Sequence, residues 1–204
     1  MKSLQEFISE SVENLQETDK IVTIGGLGPR AKKTPSGKKV IWTNTMSLPG
    51  MHIPGKGYLP NQKLETFRDS VMLGVMDVLD IPMSETYDLR GISDHNKECY
   101  CVDVHVQGIY DAKNIKDVKK QERALDYAVG ISIGVPKYAL NKFDESGMKK
   151  SLADFFGISE QDIVSEVSQV HEPHPDAVHL ISQAYSFTAY MTYDEFAAFA
   201  ATVK

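Results

Sequence analysis

The stretch CYCVDVHVQ, residues 99–107, alternates two kinds of side chain along its whole length. Tyr100, Val102, Val104 and Val106 lie on one side of an extended chain, and the thiol, carboxylate, imidazole and amide side chains between them lie on the other. An alternation with a period of two residues is typical of a half-buried strand, the usual kind in antiparallel sheets. This stretch therefore predicts a strand with one apolar and one polar face.

The same alternation returns twice towards the end of the chain, in residues 128–135 and 184–191. In both stretches every second position is apolar, and the positions between hold small or polar residues or tyrosine. The apolar positions are Val129, Ile131, Ile133 and Val135 in the first stretch, and Tyr185, Phe187, Ala189 and Met191 in the second. Together the three stretches predict one antiparallel sheet.

Helical spacing appears outside these stretches. Apolar residues from Leu64 to Leu79 recur every three or four positions and predict a helix that Pro82 ends. Two short helices are predicted at about 148–156 and 160–170, and a last one at about 194–202. The predicted class is α+β, with an antiparallel sheet and helices packed on one of its faces.

Residues 151–167, SLADFFGISEQDIVSEV, resemble the helix-turn-helix of DNA-binding proteins, with Gly157 at the turn. The exposed positions of the second helix would carry three carboxylates, those of Glu160, Asp162 and Glu166. Because these carboxylates would repel DNA phosphates, we interpret the stretch as a structural helical hairpin.

Composition limits the class of protein. The chain has 204 residues, of which 42% are hydrophobic, enough for one domain of good size with an arm. No apolar run approaches the ~20 residues of a membrane span, so no membrane partner is expected. Cys99 and Cys101 stand too close for an ordinary disulfide, which favours a reducing compartment.

Charge divides the chain into three parts. Residues 1–19 carry a net charge of −4, residues 20–60 carry +7 without a single acid, and residues 61–204 carry −9, giving −6 in total. We therefore predict an N-terminal helix over 1–19, a basic arm over 20–60 and an α+β body over 61–204. Opposite fields of this kind favour head-to-tail contact between copies, or contact with a polyanion.

The basic segment holds seven glycines and five prolines, which excludes a helix. Ile21–Ile24 and Val40–Thr45 can form short strands, and Thr34–Gly37 has the composition of a turn. We predict a long β-hairpin or arm that contacts a neighbouring subunit or nucleic acid, a solvated loop being the alternative. The residues expected at this contact are Arg30, Lys32, Lys33, Lys38 and Lys39.

Two groups of side chains could in principle bind a metal. Cys99, Cys101, Asp103 and His105 alternate on one strand, but ligands two residues apart lie about 7 Å from each other, too far for adjacent positions of one site. A second group, His171, His174 and His179, lies in a proline-containing loop. We interpret the first group as a polar strand face and the second as exposed histidines. No catalytic motif is found, so we expect no enzyme activity, no metal or other cofactor and no small-molecule substrate.

The first residues predict an amphipathic helix that docks on a partner surface. Ser3 and Glu6 form a capping box at its start. Its apolar stripe, which is the expected docking surface, consists of Leu4, Phe7, Ile8, Val12 and Leu15.

Residues 1–11, MKSLQEFISES, resemble the capsid-targeting peptides of internal head proteins in T-even-type tailed phages. The shared features are the Met-Lys start, the order Gln-Glu-Phe-Ile at 5–8, and Glu10 before Ser11, where the prohead protease cuts in that family. The resemblance implies a non-enzymatic virion protein, made in the host cytoplasm.

Residues 181–196, ISQAYSFTAYMTYDEF, resemble the last strand of tail-terminator and tail-tube proteins. This second resemblance implies a ring of identical copies in contact with other virion proteins. Whether the protein lies inside the head, in the neck or in the tail of the particle stays open. The alternatives are a packaged and injected protein that binds DNA or acts on the host, and a small metal-dependent enzyme.

Overall fold

The computed structural model describes residues 21–24, 40–41, 50–86, 98–111, 124–169 and 181–203. The strands are β1 (Ile21–Ile24), β2 (Val40–Ile41), β3 (Gly50–Ile53), β4 (Gly57–Pro60), β5 (Cys101–Asp111), β6 (Asp126–Val135), β7 (Ile163–Gln169) and β8 (Gln183–Thr192). The α-helices are α1 (Asn61–Val78), α2 (Glu145–Phe156) and α3 (Tyr193–Thr202).

Six strands form one sheet in the order β2-β1-β5-β6-β8-β7, and β3 pairs with β4 in a separate hairpin. All pairings in the large sheet are antiparallel except that of β1 with β2. Helix α1 packs on β5, α2 on β7 and β8, and α3 on β6 and β8. The predicted α+β class, with an antiparallel sheet, is confirmed.

The main core lies between the helices and one face of the sheet. The apolar positions of the three predicted strands are buried there, among them Val104, Ile131 and Phe187. Across the layer, the rings of Tyr127 and Phe196 stack with their centres 4.1 Å apart. The alternation of residues 99–107 therefore predicts the apolar face of β5 correctly, because the valines of β5 point towards the helices.

Three of the predicted helices form near their predicted ends. Helix α1 ends at Val78, four residues before Pro82. Asp144 caps the start of α2, and Gly157 ends it in the left-handed conformation with φ of 69°. Thr192 and Glu195 form a capping box at the start of α3.

The predicted helix over 160–170 is wrong, and so is the helical hairpin. Glu160–Asp162 form a single 3-10 turn, and Ile163–Gln169 form strand β7. The turn starts at Ser159, whose side chain accepts a hydrogen bond from the Gln161 backbone. The β-branched residues that follow suit a pleated surface, and β8 supplies hydrogen bonds that an isolated short helix lacks.

Of the β-hairpin or arm predicted from Ile21–Ile24 and Val40–Thr45, the hairpin is wrong, because the two strands of a β-hairpin are antiparallel. Strands are found at Ile21–Ile24 and Val40–Ile41, but they pair in parallel. On its other side β1 pairs antiparallel with β5, from Ile21 opposite Asp111 to Ile24 opposite Gly108. Strand β1 gains more backbone hydrogen bonds from β5 than a two-residue partner can offer, so it extends the main sheet.

The β3–β4 hairpin packs against the body. Met51 and Ile53 are buried in the main core. Tyr127 in the centre of the sheet donates a hydrogen bond of 2.8 Å to the backbone carbonyl of His52. Residues 50–60 therefore contribute to the same core as the residues that follow them.

Candidate functional site

Most residues predicted to make contacts lie outside the described residues. These are the docking residues Leu4, Phe7, Ile8 and Val12, the processing pair Glu10 and Ser11, and the basic residues Arg30, Lys32, Lys33, Lys38 and Lys39. His171, His174 and His179 lie outside them as well.

The structure does describe where the basic segment joins the body. Residues 25–39 connect β1 to β2, and these two strands form one edge of the six-stranded sheet. The chain leaves β1 at Ile24 and enters β2 at Val40, which lies opposite Ile21, so both ends of the basic stretch, residues 25–39, are fixed at this edge.

Of the seven basic residues in 20–60, Lys56 is the one within the described ranges. Its ammonium donates a hydrogen bond of 2.8 Å to the backbone carbonyl of Val203 and lies 5.8 Å from the centre of the Phe67 ring. This lysine holds the β3–β4 hairpin to the end of the chain and therefore has a structural role.

The opposite edge of the sheet is strand β7. In the part of the chain that the structure describes, β7 pairs with β8 alone. Val164, Ser165 and Val167 are half-buried, and Glu166 and Ser168 are exposed. Among the described residues, none pairs with the other side of its backbone, and β7 contains no proline or lysine that would oppose pairing with another strand.

Carboxylates gather along this second edge. Glu160 and Asp162 precede β7, Glu166 projects from it, and Glu145 at the start of α2 accepts a hydrogen bond from the Ser165 hydroxyl. Among the described residues, none of these four carboxylates forms an ion pair. Residues 144–169 hold six acidic side chains and two lysines, so the edge is acidic.

Asp162, which directly precedes β7, has a carboxyl whose pKa is shifted mainly by burial. Burial raises the pKa of its carboxyl above the ordinary value of 3.8, and the carboxylate of Glu195 raises it further. Sequence reasoning missed this edge because it assigned residues 160–170 to a helix. The signal that could have found it is the spacing of Ile163 and Val167 with serine and valine between them, which also fits a strand.

The polar face predicted from residues 99–107 is present on the side of the sheet away from the helices. His105 donates through Nε2 to the Asp103 carboxylate at 2.7 Å. A cavity of about 470 Å³ opens beside this pair, and its lining includes Cys101, Asp103, Ser132, Gly134, Ile181 and Ser186. Neither serine forms a hydrogen bond with His105 in the described structure.

The two cysteines are free thiols in contact with each other. Cys99 is buried and precedes β5, whereas Cys101 is half-buried within it. Burial raises the pKa of the Cys99 thiol, and its hydrogen bond with Cys101 lowers the pKa in part. A raised pKa disfavours the thiolate form that binds metals. Within the described ranges, no three His, Cys, Asp or Glu side chains are placed to hold a metal ion.

Two buried side chains of the polar face have no hydrogen-bond partner among the residues that the structure describes. These are the Gln107 amide and the Thr188 hydroxyl, both inaccessible to solvent. Gln107 lies opposite Ala128 and Thr188 opposite Gly130, and neither lines the cavity. Each buried polar group without a partner costs free energy of folding, of the order of 1–3 kcal/mol.

No family model matches the chain, and neither the curated proteins nor the solved structures contain a significant match to it. Over the residues that the structure describes, no helix has both the length and the apolar character required to cross a membrane.

Proposed function

We propose that this chain is a non-enzymatic structural protein of a tailed bacteriophage particle, which assembles with other copies of itself and with other virion proteins. The observation that carries the proposal is the attachment of the basic stretch to one edge of the sheet in a body of opposite charge. The place in the particle is either inside the head or in a ring of the neck or tail.

The basic stretch cannot neutralise itself. Residues 20–41, which include the basic stretch of residues 25–39, contain six lysine and arginine side chains and no acid. Residues 61–204 carry a net charge of −9, which makes the body of another copy a suitable partner. An exposed ion pair contributes only ~0–1 kcal/mol, but a repeated interface adds many such pairs and remains sensitive to salt.

The resemblance of residues 1–11 to capsid-targeting peptides supports the assignment to a virion. So does the resemblance of residues 181–196 to the last strand of tail-terminator and tail-tube proteins. That second stretch forms β8 and the start of α3, with Tyr185 and Phe187 buried in the core.

The test is the oligomeric state, measured by size-exclusion chromatography with light scattering at low and high salt. We expect the wild-type chain to assemble at low salt and to dissociate as salt rises. Changing Lys32, Lys33, Lys38 and Lys39 together to Ser should weaken assembly and leave the melting temperature of the chain unchanged. The matched control changes Lys113, Lys116, Lys119 and Lys120 to Ser, which removes the same charge elsewhere.

A wild-type chain that stays monomeric at every salt and protein concentration contradicts self-assembly. A filter-binding assay with DNA tests the remaining alternative, a packaged DNA-binding protein. If the variant at residues 32–39 assembles normally but no longer retains DNA, the basic stretch binds nucleic acid and the packaged, DNA-binding function replaces this one.

A further inference from the structure

We infer that the acidic edge, defined by strand β7 with Glu145, Glu160, Asp162 and Glu166, is the docking surface for the basic stretch of a second copy, residues 25–39. This inference rests on the proposed self-assembly and names the two surfaces that meet. The edge of the sheet that carries the basic stretch, formed by β2 and β1, then lies beside the acidic edge of the neighbouring copy.

The first argument is the backbone of β7, whose outer side has no strand partner in the described part of the chain. An edge strand presents a row of unpaired N–H and C=O groups, and proteins usually protect such rows with lysine, proline, a bulge or a covering element. Strand β7 is seven residues long and contains no lysine or proline, and its register with β8 is regular from Ile163 to Gln169. This edge can therefore accept an extended segment by strand addition.

The second argument is charge. Glu160 and Glu166 are exposed, and no cation in the described part of the chain pairs with them. Burial raises the pKa of Asp162, and repulsion from the nearby carboxylate of Glu195 adds to the increase. A cationic partner relieves this repulsion, and residues 25–39 offer five positive charges with no acid.

The third argument is reach, which decides between the chain's own basic stretch and that of a neighbour. Strands in a sheet lie about 4.8 Å apart, so five spacings place β7 roughly 24 Å from β2. The tip of residues 25–39 is about seven residues from either end, and a fully extended chain of that length spans at most ~25 Å. Contact within one chain would require an almost straight loop across the whole sheet, whereas a second copy needs no such extension.

Charge reversal tests this inference directly. We expect Glu160→Lys with Glu166→Lys to weaken self-association roughly tenfold or more, because attraction becomes repulsion at the interface. Both side chains are exposed and without a described partner, so the melting temperature should change little. The matched control is Asp69→Lys with Asp77→Lys, two exposed carboxylates of α1 that carry the same charge change away from β7.

A complementary reversal makes the test specific. Lys32→Glu with Lys33→Glu should weaken self-association alone, and mixing this variant with the β7 variant should restore large assemblies. If the wild type assembles and the β7 variant assembles as well as its control, the inference is overturned while the proposed function stands. If the wild type is monomeric under all conditions, both are overturned.

Zero-length carbodiimide cross-linking of the unmodified protein gives a second readout that needs no variant. Equal amounts of ¹⁴N- and ¹⁵N-labelled chains are mixed, assembled and cross-linked, and mixed-isotope peptides report contacts between copies. We expect peptides that join Glu160 or Glu166 to a lysine of residues 25–39. Assembled protein that yields mixed-isotope cross-links only elsewhere overturns the inference.

Discussion

The Lys56 ammonium donates a hydrogen bond of 2.8 Å to the backbone carbonyl of Val203, across 147 positions of sequence. The same ammonium lies above the Phe67 ring. These contacts fix the turn of the β3–β4 hairpin to the residue that follows the last helix. They explain why one basic residue of the predicted arm over 20–60 contributes to the packing of the body.

Replacing Lys56 by Met should lower the free energy of unfolding by about 1 kcal/mol, because the Val203 carbonyl loses its donor while the aliphatic part of the side chain is kept. Lys63→Met is the control. Lys63 is exposed on α1, lines a shallow surface groove together with Lys56 and Phe67, and forms no described hydrogen bond or ion pair. Urea unfolding followed by circular dichroism measures both variants. Equal stability of the two would show that the bond to Val203 contributes nothing.

Two threonines of β8 should respond in opposite directions to the same change. Thr188→Val should stabilise the protein by roughly 1 kcal/mol, because it replaces a buried hydroxyl without a partner by a methyl group of similar size. Thr192→Val should destabilise it by about 1 kcal/mol, because Thr192 caps α3. Thermal melting of the two variants side by side gives the answer, and a loss of stability in Thr188→Val would show that its hydroxyl has a favourable partner.

The raised pKa of Asp162 predicts a dependence on pH. Because the carboxyl holds its proton more tightly when folded, its contribution to stability is present below the unfolded pKa near 3.8 and is lost as pH rises through the folded pKa. Asp162→Asn should therefore raise the melting temperature at pH 7 and leave it nearly unchanged at pH 3. Asp154→Asn, an exposed change of equal charge on α2, is the comparison. A gain of the same size at both pH values would contradict this account.

The resemblance at the N-terminus predicts a particular mass in purified particles. If the prohead protease cuts between Glu10 and Ser11, the mature chain starts at Ser11 and lacks Leu4, Phe7 and Ile8 from the apolar stripe. Intact-mass spectrometry of protein extracted from virions distinguishes the two forms. A mass that includes Met1 or Lys2 rejects the head-internal place and favours a neck or tail ring.

The class of fold could be predicted from the sequence because the two faces of its central strands differ in composition. In β5, β6 and β8 one face meets the helices and the other carries small or polar side chains. Residues 99–107, 128–135 and 184–191 therefore alternate with a period of two residues. Helix α1 was equally readable, since its apolar stripe is long and a proline follows it.

The prediction failed where tertiary pairing decides between two local structures. Residues 160–170 contain apolar residues at spacings that fit either a helix or a strand, and the presence of β8 beside them selects the strand. The pairing of β1 with β5 is of the same kind, because it joins residues 21–24 to residues 108–111, far away in sequence. The acidic edge was missed for this reason, since a surface formed by such pairing has no local signature.

The directions of the outermost strands have a consequence for the symmetry of any assembly. Strand β2 is parallel to β1, both are antiparallel to β5, and the alternation through β6 and β8 leaves β7 pointing the same way as β2. If β2 of one copy meets β7 of the next, all strands keep their direction from copy to copy. The contact is then heterologous, and neighbours are not related by a two-fold axis. Such a row is polar: one end always presents β7 and the other β2, so a molecule that offers only one of these edges can terminate growth at one end and leave the other end active.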